Sequence, residues 1–266
     1  MHADIVELRE FYASTLGHLA ERSIGMALTP LWVRLPGERL VGLGYALPWL
    51  DRFCVDTERT FAFMPAGMGA VNWPVGAPSL SALVFDEDLP LTDSSIDRIL
   101  MVHALEHSED PRETLKEAWR VLAPEGRLVI VVPNRRGLWA RFEHTPFGNG
   151  RPYSRGQLGR LLREANFTVG PQTEALLFPP VKTRALMRPA YWLERMGRKI
   201  FMPFAGVIIV EAQKRLYQGI PVSKKISRRV FVPVLAPQAT GRMNRAIFSA
   251  KTRPVGQRNS KMPKAG

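Results

Sequence analysis

Apolar positions recur along this chain in two kinds of run. Near the start, Val6, Leu8, Phe11, Leu16 and Leu19 stand close to helical spacing, which predicts an amphipathic helix over residues 4–24. Further on, short β-branched-rich runs recur between turn residues, the pattern of strands buried on both faces of a sheet. They predict strands at Arg39–Leu43, Thr60–Met64, Ser81–Phe85, 96–102, 127–133, Phe167–Leu177 and Gly206–Ala212. Polar segments with helical periodicity separate several of them. A short helix is predicted at 47–53 and another after Tyr153-Ser154, through Leu158, Leu161, Leu162 and Ala165. A helical excursion with Tyr191, Trp192 and Met196 precedes the last strand.

Residues 84–133 are the most informative stretch. Ile96, Ile99, Leu100, Met101 and Val102 form one buried run, and Leu128 to Val132 form the next. Between them Asp110 suits a helix N-cap, Pro111 suits the first helical position, and Glu113 completes a capping box. Leu115, Ala118, Trp119 and Leu122 then make one apolar stripe toward a sheet. Pro124-Glu125-Gly126 ends the helix and turns the chain into the second strand. The unit is a right-handed βαβ crossover.

The order of motifs in this stretch is an acidic loop (Phe85-Asp86-Glu87-Asp88-Leu89-Pro90), a strand, the turn His103-Ala104-Leu105-Glu106-His107, a capped helix and a Gly turn into a strand. It resembles the second half of a class I S-adenosylmethionine-dependent methyltransferase of the small type 11 sort. The resemblance implies an α/β, Rossmann-like, seven-stranded, mostly parallel sheet with helices on both faces, followed by a basic C-terminal tail. In that family the seventh strand is antiparallel and lies between the fifth and sixth. The expected organisation is a helical segment over 1–37, a methyltransferase-like domain over 38–220 and a partly disordered tail over 221–266.

The resemblance also implies S-adenosylmethionine as cofactor and a small-molecule methyl acceptor as partner. Its cofactor residues would be Gly42, Gly44 and Tyr45 after the first strand, Asp86, Glu87 and Leu89 in the acidic loop, and His103 at the crevice floor. His103 and His107 are the expected catalytic groups, with His144 a further candidate base. In the loop after the fifth strand, Arg135, Arg136, Arg151 and Tyr153 could hold an anionic substrate, and glycines and aromatics suit a lid. Two positions depart from the family. Gly42 stands where the family has an acid, with Ala46 and Pro48 where it has glycines. The stretch Phe63-Met64-Pro65-Ala66-Gly67 lacks the ribose-binding acid. A non-catalytic binding or regulatory protein of the same fold is the alternative these departures leave open. The His-x-x-Glu-His spacing at 103–107 also fits an inverted zinc-peptidase pattern, but it follows a strand directly, and no metal is expected.

Composition adds one feature. Of the formal net charge of +13, eleven units fall in Pro221–Gly266, which has basic residues and no acid. The folded part is therefore nearly neutral, and the tail is a candidate grip on RNA or an anionic membrane surface. An RNA-directed methyltransferase is the reading this would support. A lone Cys54 excludes an intramolecular disulfide and suits a reducing compartment. With no signal-peptide pattern at the start and no integral membrane segment, the expected location is cytoplasmic.

Overall fold

The structure is a computed structural model that describes residues 4–180 and 205–216. The excursion around Tyr191 and the tail at 221–266 lie outside the described residues. Seven strands form one sheet: β1 (Arg39–Gly44), β2 (Arg59–Pro65), β3 (Ser81–Val84), β4 (Ile96–Val102), β5 (Leu122–Pro133), β6 (Phe167–Ala175) and β7 (Val207–Lys214). Their spatial order is β3-β2-β1-β4-β5-β7-β6. The first five are parallel, and β7 runs antiparallel between β5 and β6.

Alternation along the strands splits the core into two layers. Leu40, Leu100, Val102, Val129, Val131, Val207 and Ile209 face one side. There they meet α1 (Ile5–Ala13), α2 (Thr15–Leu28) and α3 (Leu47–Phe53). Val41, Leu43, Ile99, Met101, Leu128, Ile130, Val132, Ile208 and Val210 face the other, under α4 (Pro111–Val121) and α5 (Arg155–Glu164). Neither face can meet water, so the strands read as continuous apolar runs.

Three local expectations need correction. The single leading helix is two, broken at Ser14. The Ser14 hydroxyl accepts from Gly17 N at 3.0 Å, starting α2, while Ser14 N donates to the Phe11 carbonyl, closing α1. The second concerns α4: Asp110 accepts from the amides of Arg112 (2.9 Å) and Glu113 (3.3 Å), but the Glu113 carboxylate turns to Lys116. The complete capping box lies instead at Ser154 and Gln157 of α5. Third, Leu122 leaves the helix and opens β5, opposite Ile96, and residues 123–126 bulge before pairing resumes at Arg127. Trp119 is partly buried beneath the Lys214 ammonium, which lies 4.1 Å from its ring and donates to the Leu122 carbonyl.

Ion pairs fix the amino edge of the sheet. Asp97 on β4 accepts from Arg39 through the backbone amide (2.9 Å), Nε (2.9 Å) and Nη2 (3.0 Å), tying the start of β1 to β4. The Arg39 guanidinium holds the Asp97 carboxyl below its usual range. Burial alone would raise Glu117, but hydrogen bonds from Arg120 and from Leu89 N lower it. Both carboxylates therefore stabilise the fold above their unfolded pKa values near 4 and lose that contribution as pH falls through their depressed folded values. Asp97→Asn should cost about 1 kcal/mol at neutral pH, discounted for partial exposure, and flatten the acid limb of a stability-versus-pH curve. Urea melts of both proteins between pH 3 and 7 measure this.

Candidate functional site

Open parallel sheets hold ligands beyond the carboxyl ends of their strands. Here those ends deliver Gly44-Tyr45 from β1, Pro65–Met68 from β2, Phe85–Glu87 from β3 and His103–Glu109 from β4. A cleft of about 230 Å³ opens among them, lined by Pro65, Gly67, Asp86, Glu87, His107 and Ser108, with Ala66, Met68, Phe85, Ala104 and Glu109. Asp86 accepts from the Thr114 hydroxyl at 2.8 Å, and Glu87 is exposed. Every carboxylate at the rim comes from the loop after β3 or the turn after β4, and none from β2. A wider hollow of about 530 Å³ lies at the opposite, amino edge of β2, around Thr57, Thr60 and Trp73. It is on the wrong side of the sheet for this fold's ligands.

Beside the cleft, the end of β4 is closed by a buried polar cluster. His103 leaves the strand with φ of 51° and is 1% exposed. Its Nδ1 lies 3.1 Å from Glu106 Oε1, and its Nε2 lies 2.8 Å from the Tyr12 hydroxyl. Burial, then the charges of Tyr45, Glu106 and Glu21, push the Tyr12 phenol well above its ordinary pKa, so it keeps its proton. A protonated Tyr12 can donate to Nε2, and in that tautomer Nδ1 donates to Glu106 Oε1. Glu106 Oε2 is buried with no hydrogen-bond partner among the described residues.

Tyr12 also stacks on Tyr45, with ring centroids 5.4 Å apart and 19° between planes, and meets Trp49 edge-on at 5.5 Å. Phe147 packs against the other side of His103 at 4.8 Å. Helix α1 is thus a roof over the ends of β1 and β4. Its first turn is tied down where Ile5 N donates to the Met68 carbonyl. None of this roof was visible in the sequence. Tyr12 sits on the buried face of an ordinary amphipathic helix, and only the fold brings it to residue 103.

The expected site residues separate into groups. Asp86, Glu87 and His107 share the cleft, with His103 behind it. Leu89 lies elsewhere: it is core under α4, and its amide is held by Glu117 at 2.7 Å. Gly42 is a packing position, because a Cβ there would lie 2.7 Å from a Leu50 methyl and 3.0 Å from the Ala46 methyl. No acid can stand there beneath α3. Gly44 has φ of +82°, and a Cβ would meet the Val102 carbonyl at 2.2 Å. It lets β1 close against β4, where Tyr45 N donates to that same carbonyl. Tyr45 is buried in the roof cluster.

Loop residues divide in the same way. Arg151, Tyr153 and Arg135 line a third hollow, of about 270 Å³, between α4 and α5, whereas Arg136 is exposed and outside it. His144 packs on Phe142 and reaches the Pro180 carbonyl at 3.2 Å, away from the cleft. The loop is no open lid. Trp139 and Phe147 are buried, and Trp139 donates to the Phe178 carbonyl at 2.6 Å. Cys54 is partly buried, which raises its thiol pKa and leaves it a poor nucleophile. The ligand atoms of His103, Glu106 and His107 come within 4.8 Å of one another, but both nitrogens of His103 are already engaged.

Gly44→Ala should be costly here, because the left-handed backbone and the clash with Val102 act together. The expected loss exceeds about 2 kcal/mol, a fall in Tm of roughly 5 °C or more by scanning calorimetry.

Comparison with known proteins agrees with this geometry. Residues 76–130 match the family described as "Methyltransferase domain", type 11, which covers β3, β4, α4 and most of β5. A solved S-adenosylmethionine-dependent methyltransferase of Thermotoga maritima superposes with a TM-score of 0.56 at 20% identity, covering 79% of this chain and 96% of that one. One from Mesorhizobium loti gives 0.52 at 17%, covering 71% and 96%. The [4+2]-cyclase SpnF gives 0.50 at 18%, covering 74% and 81%. In sequence, an uncharacterized 37.1 kDa protein in transposon TN4556 of Streptomyces fradiae is 36% identical over 88 residues, 33% of this chain. The alignment spans only about a quarter (24%) of that relative's length. Among the described residues, no helix is long and apolar enough to cross a membrane. In sheet order and strand direction the chain has the class I S-adenosylmethionine-dependent methyltransferase fold, and its β3-to-β5 segment matches the type 11 methyltransferase-domain family.

Proposed function

We propose that this protein transfers a methyl group from S-adenosylmethionine to a small-molecule acceptor. The observation that carries the proposal is the acidic cleft at the carboxyl ends of β2, β3 and β4. It opens on the edge where this fold keeps its ligands. Asp86, Glu87 and Glu109 give the rim a negative potential suited to a cofactor with sulfonium and ammonium charges. Glu87 or Glu109 would take the ribose hydroxyls in place of the missing β2 acid. Backbone at Pro65–Met68 would lie along the nucleoside.

The fit is to the nucleoside half. Beyond it, Tyr12, Tyr45, Trp49 and Phe147 fill the space over His103. Full binding therefore requires α1 to lift. The bound cofactor supplies an already activated methyl group, so the chain's task is chiefly positioning. When Tyr12 withdraws, His103 Nε2 is released toward the crevice with its ring still oriented by Glu106. His103 is then the base for an acceptor that must lose a proton, and His107 at the cleft wall is the second candidate.

Calorimetric titration with S-adenosylhomocysteine tests this. Micromolar binding is expected for the unmodified chain. Tyr12→Phe keeps the ring stack but removes the bond to His103, which loosens the closed roof by about 1 kcal/mol and should tighten apparent binding about fivefold. Absence of binding to either protein at millimolar ligand would point instead to a non-catalytic member of the fold. Weaker binding by Tyr12→Phe would refute the roof. Glu106→Gln should lower turnover while leaving that affinity within a few-fold, whereas His103→Ala, which removes the same bond as Tyr12→Phe, should lower turnover and tighten binding to a similar extent.

A further inference from the structure

We propose that the hollow between α4 and α5 binds a phosphate- or diphosphate-bearing small molecule. Four arginines converge on its roughly 270 Å³: Arg112 from α4, Arg135 and Arg151 from the loop after β5, and Arg160 from α5. Its one carboxylate, Glu164, is paired with Arg112 at 2.5 Å. Among the described residues Arg135, Arg151 and Arg160 have no carboxylate within ion-pair distance.

What distinguishes them is that three such groups line one hollow. Elsewhere Arg34, Arg39, Arg98, Arg120, Arg127 and Arg155 each hold an acid, and Arg52 and Arg215 bond neutral oxygens. Leaving three guanidinium groups together without a counter-charge is unfavourable, and the arrangement is relieved by a multivalent anion. The local balance is four cations against one carboxylate. A carboxylate ligand would offset one charge, whereas a phosphate or diphosphate offsets two or three and accepts paired N–H bonds from the guanidinium forks.

The hollow is also built on fixed backbone. Arg151 N donates to the Glu106 carbonyl at 2.8 Å, Arg135 N to the Tyr153 carbonyl at 2.9 Å, and the Tyr153 hydroxyl to the Leu105 carbonyl at 3.2 Å. The turn at 104–109 lines the acidic cleft and accepts the Arg151 and Tyr153 bonds, and Gly150 lies so close to the His107 ring that a Cβ there would come within 2.9 Å of it. A ligand anchored there by its phosphate would extend toward His107. Phosphate binding stands apart from the cofactor reading. Treating the bound molecule as the methyl acceptor rests on that reading.

The test is titration of the full chain with inorganic pyrophosphate and, separately, with inorganic phosphate. Micromolar binding of pyrophosphate and weaker binding of phosphate are expected. The double variant Arg151→Ala/Arg160→Ala should lose at least tenfold in pyrophosphate affinity, and Arg151→Lys should fall between it and the unmodified chain. Lys224→Ala/Lys225→Ala, in the basic tail, should leave the affinity unchanged. These arginines are exposed, so folding is expected to survive, and melting curves check it. Unchanged affinity in the groove variant, or a loss confined to the tail variant, overturns the proposal. Because the titrant carries no nucleoside or methyl, failure here leaves S-adenosylhomocysteine binding untouched, and failure there leaves pyrophosphate binding untouched.

Discussion

The hydrogen bonds of His103 are the interaction on which the site depends. This residue ends the central strand in a left-handed turn, lies almost wholly out of water, and has both ring nitrogens engaged. Glu106 on one side belongs to the turn that leads into α4. Tyr12 on the other belongs to a helix 91 residues earlier in the chain. One ring thus joins the roof of the crevice to its floor. A buried imidazole without such partners would carry a desolvation penalty of about 1–3 kcal/mol, so the roof is held shut by the same group that opening would release.

The two hollows beside this cluster have opposite electrostatic character. The cleft over β2–β4 is rimmed by Asp86, Glu87 and Glu109, and the groove between α4 and α5 by four arginines. The turn at 104–109 separates them and supplies Glu106 and His107. Such an arrangement can hold a cationic molecule and an anionic one on either side of a histidine wall. Fold alone does not decide what passes between them. The similar [4+2]-cyclase carries the same architecture under a name that is not a methyltransferase's.

Much of the fold was legible because two-sided burial writes itself as apolar runs. The run from Ile96 to Val102 and the caps at Asp110 and Ser154 all placed their elements. Boundaries failed where one residue served two elements. Ser14 reads as helix interior until its hydroxyl and amide are seen to cap both neighbours, and Leu122 reads as the helix stripe although it pairs with Ile96. Around the candidate site, Asp86, Glu87 and His107, which local motifs single out, line one cleft. Long-range contacts decided the rest. Gly42 looks like a cofactor glycine until Leu50 is found against it, and Tyr12 has no signal at all, since its partner lies in another element.

Hydrogen–deuterium exchange with and without S-adenosylhomocysteine tests the roof most directly. The account predicts that ligand slows exchange at 65–68, 85–87 and 104–109 while speeding it at 5–13, because α1 must leave the ring stack for the ligand to seat fully. Slowed exchange in α1 together with the cleft would contradict it, showing that the ligand binds beneath a roof that never opens.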